Sequence, residues 1–133
     1  MAGVTSTINS LVEIVLVVED LERSTQFYRD VLGLEVISPP GAPAAFLRVG
    51  PPTAGIPQQI VLVPRPSDLS PATGRRVHHI GLGVPSDKYE SERTRLAALG
   101  FALRGGEHPF MPVEAFYLDD PDGNEIEIAT WRG

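Results

Sequence analysis

Two stretches of this 133-residue chain set residues fit for metal ligation or proton transfer beside emptied space. In His79-Ile80-Gly81-Leu82-Gly83-Val84 the alternation of a strand puts Ile80, Leu82 and Val84 on one face and His79, Gly81 and Gly83 on the other. An imidazole followed by two residues without side chains leaves the room that a cavity needs. The second stretch runs from Phe116 to Ile128, where an apolar run, a turn of Asp, Pro, Gly and Asn, and a Glu/Ile alternation read as a hairpin. Ile126 and Ile128 face a core, so Glu125, Glu127 and Ala129 lie on the opposite face. Glu13 stands in an otherwise apolar strand, where a buried, unpaired carboxylate is costly; it calls for a metal, a cation or water.

The elements that position these residues follow one plan twice. Leu11 to Val18 is a strand, and Asp20 caps a helix that carries Leu21, Phe27, Tyr28, Val31 and Leu32 on one face and stops at Gly33. Strands follow at Leu34 to Ile37, Ala45 to Val49 and Gln58 to Val63, with a proline-rich stretch from Ser38 to Pro57 around the second of them. Pro64 to Gly74 has linker composition. Strand His79 to Val84 then repeats Glu13 to Val18, and Leu99-Gly100-Phe101 repeats Leu32-Gly33-Leu34. The second helix begins near Asp87, where Asp87 and Glu90 form a capping-box pattern, and its apolar face carries Tyr89, Leu96 and Leu99. Phe101 to Leu103, Ala115 to Leu118 and Glu125 to Thr130 supply the last strands. The reading is α+β: one domain over 1–133, made of a βαβββ module at 10–63, a linker at 64–75 and a second βαβββ module at 76–131.

Composition narrows the function. A formal charge of −6, a pI near 4.9 and no basic run beyond Arg75-Arg76 argue against nucleic-acid and acidic-membrane partners. With no cysteine, thiolate ligands, disulfides and thiol nucleophiles are excluded. The N-terminal residues lack a secretory pattern, and Leu11 to Val18 is too short to span a bilayer, so a cytoplasmic protein is expected.

The run from Leu16 to Tyr28, with Leu32-Gly33-Leu34, resembles the opening signature of the vicinal oxygen chelate superfamily, and Tyr117 to Glu127 resembles its closing signature. Glyoxalase I, methylmalonyl-CoA epimerase, extradiol dioxygenases and bleomycin-resistance proteins belong to that superfamily. The resemblance implies mixed, curved sheets forming a cup, with metal ligands on the first and last strands of each module. On this sequence those positions are Glu13, Gln59, His79 and Glu127; a slip of two residues would replace Gln59 by Val61. A His or Gln is more usual where Glu13 stands.

One imidazole with carboxylate and amide oxygens makes a hard, oxygen-rich site suited to Mn, Co, Ni, Fe or Mg and open to Zn. Four protein ligands on an octahedral ion leave two adjacent positions for a substrate with oxygens on neighbouring carbons. The ion would stabilise an enediolate, with Glu13 or Glu127 moving the proton. The expectation is a glyoxalase- or epimerase-like isomerase or lyase acting on a small molecule, as a homodimer. An extradiol-type dioxygenase and a metal-free, ligand-sequestering protein of the bleomycin-resistance kind are the alternatives. His78, of opposite parity to His79, points away from the cup. His108 falls in a flexible loop, Gly105 to Pro109, that could meet substrate, with a plain surface role the expectation, and Phe27 and Tyr28 belong to the core.

Overall fold

β-branched residues dominate Glu13–Val18 (β1) and Gln59–Pro64 (β4), and these two strands lie side by side in parallel. Parallel neighbours cannot be joined by a tight turn. The connection here is a helix, Leu21–Gln26 (α1), followed by strands Glu35–Val36 (β2) and Ala45–Arg48 (β3). Strands β2, β3 and β4 pair antiparallel, which gives the order β1-β4-β3-β2. The computed structural model describes residues 11, 13–52, 57–65, 77, 79–108 and 111–133. The chain divides into two compact units, Met1–Pro66 and Ser67–Gly133. Residues 66–75 of the expected linker and His78 lie outside the described residues.

Asp20 caps α1 as expected, its carboxylate accepting the Arg23 backbone N–H at 3.0 Å. The helix does not continue regularly. Phe27–Val31 is a π turn, in which the Leu32 N–H reaches back to the Phe27 carbonyl at 3.1 Å. The widened turn lets the consecutive residues Phe27 and Tyr28 both be buried, their rings edge-on at 5.2 Å. Gly33, at φ +76°, then ends the element in a conformation that costs other residues. With Leu16, Val18, Ala45, Leu47, Ile60, Val61 and Leu62, the two rings make up the buried apolar set of the described residues of this unit.

The second unit repeats the plan with Ile80–Gly83 (β5), Tyr89–Ala98 (α2), Arg104–Glu107 (β6), Val113–Asp119 (β7) and Glu125–Trp131 (β8). Its order is β5-β8-β7-β6, with β5 and β8 parallel. Gly100, at φ +94°, has the place of Gly33. Its core holds Ile80, Tyr89, Leu96, Ala115, Phe116, Leu118, Ile126 and Ile128, with Asp120 and Thr130 as buried polar residues, and the Tyr89 ring meets Phe116 at 5.5 Å.

Three local expectations change here. Asp87 lies inside a 3-10 turn, Ser86–Lys88, and α2 starts after Lys88 without a side-chain cap, so no capping box forms. Leu99 is exposed because it falls beyond the last turn of α2, leaving Tyr89 and Leu96, two turns apart, as the buried anchors. The third strand from the end is Arg104–Glu107 and not Phe101 to Leu103, since Gly105 and Gly106 pair with Phe116 and Ala115.

The β7–β8 hairpin is fixed by a buried carboxylate. Asp120 Oδ1 accepts the backbone N–H groups of Asp122 and Asn124 at 2.9 and 2.7 Å, and Oδ2 accepts the Asn124 amide at 2.9 Å. The turn thereby sets the register Tyr117↔Glu127. Asp120→Ala should lower unfolding stability by at least about 2 kcal/mol, because three charge-assisted bonds vanish. Urea denaturation checks this, and a loss under about 0.5 kcal/mol, half a typical hydrogen bond, would show that the backbone alone holds the turn.

Candidate active site in the second unit

Across the second sheet, one row on the face opposite Ile126 and Ile128 reads Gly81, Glu127, Tyr117, Arg104, and the next reads Gly83, Ala129, Ala115, Gly106. His79 precedes β5 with the parity of Gly81. Its Nε2 lies 3.6 Å from Glu127 Oε2. The Tyr117 hydroxyl donates to that same oxygen at 2.6 Å, and its ring stands edge-on to the His79 ring at 6.0 Å. The other carboxylate oxygen sits over Gly81, 3.4 Å from where a Cβ would be. Because the second row carries nothing larger than a methyl group, a cleft of about 460 Å³ opens beside these polar groups. Leu82, Met111 and Val113 give it apolar walls, and Glu107 and His108 line its margin.

The hydrogen bond to Glu127 pushes the pKa of the Tyr117 hydroxyl up to about 12, with burial and the charges of Glu127 and Glu125 adding to the shift. Tyr117 therefore remains a donor at any physiological pH. Its ring leans over Gly106, where a Cβ would collide with Cε2 and come within 3.1 Å of Cζ. Tyr117 was hidden within the apolar run Phe116 to Leu118. The signal that exposes it is hairpin arithmetic, since a turn centred on Asp122 places residue 117 opposite residue 127. His108 borders the cleft, as a substrate-facing loop would place it, and its Nδ1 accepts the Met111 N–H at 2.9 Å.

In the first unit the corresponding rows differ. Glu13, Gln59, Arg48 and Glu35 form one row, with the Gln59 amide donating to Glu13 Oε2 at 3.3 Å and Arg48 paired with Glu35. Val15, Val61 and Phe46 form the next. Matching the two ladders puts Glu13 at the position of His79, Gln59 at that of Glu125, Val61 at that of Glu127 and Phe46 at that of Tyr117. Glu13 is exposed and bonded to an amide, so the burial cost expected for it does not arise. The four expected ligands thus fall into two contacting pairs, Glu13 with Gln59 and His79 with Glu127. Within neither unit do the described residues gather three His, Asp or Glu side chains about one point.

Residues 10–128 match the sequence profile of the Glyoxalase/Bleomycin resistance protein/Dioxygenase superfamily. The chain belongs to that superfamily. A catechol-2,3-dioxygenase of Bacillus subtilis is 33% identical over 128 residues, which is 88% of this chain and 42% of that protein. The chain therefore spans less than half of that relative's length. Among solved structures, an antibiotic-binding protein from a Streptomyces species is 25% identical, with a TM-score of 0.66 over 96% of this chain and all of that one. A lactoylglutathione lyase from Agrobacterium tumefaciens shares the fold at 22% identity, with a TM-score of 0.68 over 94% and 96% of the two chains. These neighbours agree with the α+β architecture of two βαβββ modules. No helix among the described residues is long and apolar enough to cross a membrane.

In metal-free protein, titration followed by tyrosinate absorbance should show one of the three tyrosines ionising near pH 12. Glu127→Ala should bring that step down toward the ordinary value of about 10. A folded-state value above the unfolded one means that the contribution to stability is complete below about pH 10 and is lost as pH rises through about 12. A titration unchanged by Glu127→Ala would show that Glu127 does not cause the shift.

Proposed function

We propose that this superfamily member is a divalent-metal-dependent enzyme that moves a proton on a small oxygenated substrate, of the glyoxalase or epimerase kind. The convergence of His79 Nε2 and Glu127 Oε2, 3.6 Å apart at the edge of an open cleft, carries the proposal. Two donors on one first-row ion, each about 2.1 Å from it, lie roughly 3.0–3.4 Å apart, so a small side-chain adjustment fits this pair to an ion. The donor set of imidazole and carboxylate suits Mn, Co, Ni, Fe or Zn. Such an ion, when bound, would polarise the substrate's oxygens and acidify the adjoining carbon.

His79 and Glu127 would hold the ion. Glu13 remains in the proposed ligand set on the sequence resemblance, and as an exposed carboxylate it is also the candidate for carrying the proton. Gln59 orients Glu13 through its amide rather than matching Glu127, whose counterpart in the first unit is the apolar Val61. Glu127 Oε2 is already occupied by the Tyr117 hydroxyl, which makes Glu127 better suited to fixed ligation than to proton shuttling. Leu82, Met111 and Val113 would exclude water from the apolar part of the substrate. The relative that is a catechol-2,3-dioxygenase favours a second reading, oxidative ring opening with iron.

Elemental analysis of protein purified without added metal or chelator should find about one equivalent of Mn, Co, Ni, Fe or Zn per chain, lost in both His79→Ala and Glu127→Ala. Iron alone, with turnover of catechol, would favour the dioxygenase over the isomerase. No metal after incubation with each ion would sink the enzyme proposal and leave a binding protein, the role named for the Streptomyces neighbour.

A further inference from the structure

We propose that Tyr117 is a positioning residue for the ion site, locking the Glu127 carboxylate toward His79, and that Gly106 is the clearance its ring requires. The inference rests on the metal-binding reading above and adds to it the group that sets the geometry. A glutamate carries three freely rotating side-chain bonds, and freezing them costs free energy when an ion binds. Beneath Oε1 lies Gly81, which presents no side chain to confine the carboxylate. The 2.6 Å bond from Tyr117 therefore holds Oε2, the oxygen that faces His79. Gly83 and Ala129, the next residues of that face on β5 and β8, carry at most a methyl group.

The first unit supplies an internal comparison. At the positions of Glu127 and Tyr117 it has Val61 and Phe46, so where the carboxylate is absent the hydroxyl is absent too. An aromatic ring alone satisfies the packing of that row. The oxygen of Tyr117 thus serves the carboxylate. Gly106 serves the oxygen: its backbone is not in a left-handed conformation, and the atoms nearest its missing Cβ all belong to Tyr117. An outer group that orients a metal ligand in this way is worth about 10–100-fold in metal affinity.

The test is calorimetric titration of Co²⁺ into metal-stripped wild type, Tyr117→Phe and Gly106→Ala, with the melting temperature of each metal-free protein recorded. Tyr117→Phe should weaken Co²⁺ binding about 10–100-fold while the metal-free melting temperature stays near that of wild type. Gly106→Ala should weaken it in the same direction by displacing the ring, and should add nothing in a Tyr117→Ala background, where no ring remains to displace. Equal Co²⁺ affinity in wild type and Tyr117→Phe would overturn the positioning role and leave the metal site standing. A Gly106→Ala effect that persists without the ring would overturn the clearance role. Wild type that takes up no Co²⁺ would overturn the metal reading, and this inference with it.

Discussion

Parallel pairing of the first and last strands of each unit is the constraint on which the rest depends. It sets Glu13 beside Gln59 in one sheet and Gly81 beside Glu127 in the other. A shift of one residue in either ladder would exchange the two faces of a strand and carry every site residue into the core. The register is held at both ends of the ladder's reach. Ile80, Ile126 and Ile128 must be buried, and the hairpin locked by Asp120 fixes β8 against β7. Burial and turn chemistry thus agree, and their agreement places Glu127 on the open face.

Two copies of one architecture have been given different faces. In the first unit the row that corresponds to Gly81, Glu127 and Tyr117 is Val15, Val61 and Phe46, an apolar row with no titratable group and with Val61 buried. Its polar row lies two residues away, where Glu13 and Gln59 bond to each other. In the second unit, glycine and alanine clear space and a carboxylate, an imidazole and a phenol fill part of it. Chemistry concentrates where side chains have been removed as much as where reactive ones have been added.

Much of this was legible in the chain. The apolar/polar alternation at His79 to Val84 and Glu125 to Ile128 identified the strands and their two faces, because a period of two survives any tertiary context. Asp20 and Gly33 bounded the first helix through chemistry that acts over a few residues. The matched spacing of Glu13 with His79 and of Gly33 with Gly100 revealed the duplication. The second helix was less legible: its sequence is mostly polar, so neither its start after Lys88 nor the exposure of Leu99 stood out. β6 falls at Arg104–Glu107, just beyond the expected Phe101 to Leu103, because Gly105 and Gly106 have low strand propensity and become a strand only by pairing with β7.

Sequence by itself determined the fold class, the repeat and the candidacy of Glu13, His79 and Glu127, since residue type, period and motif are local properties. Only the tertiary structure decided which residues are partners. That Val61 and not Gln59 matches Glu127 follows from cross-strand register, a relation between residues 46 positions apart. That Tyr117 belongs to the site, with Gly106 as its clearance, follows from a hydroxyl meeting a carboxylate across a hairpin. Such contacts join side chains whose separation in the chain carries no chemical mark, and they exist only once the strands are laid side by side.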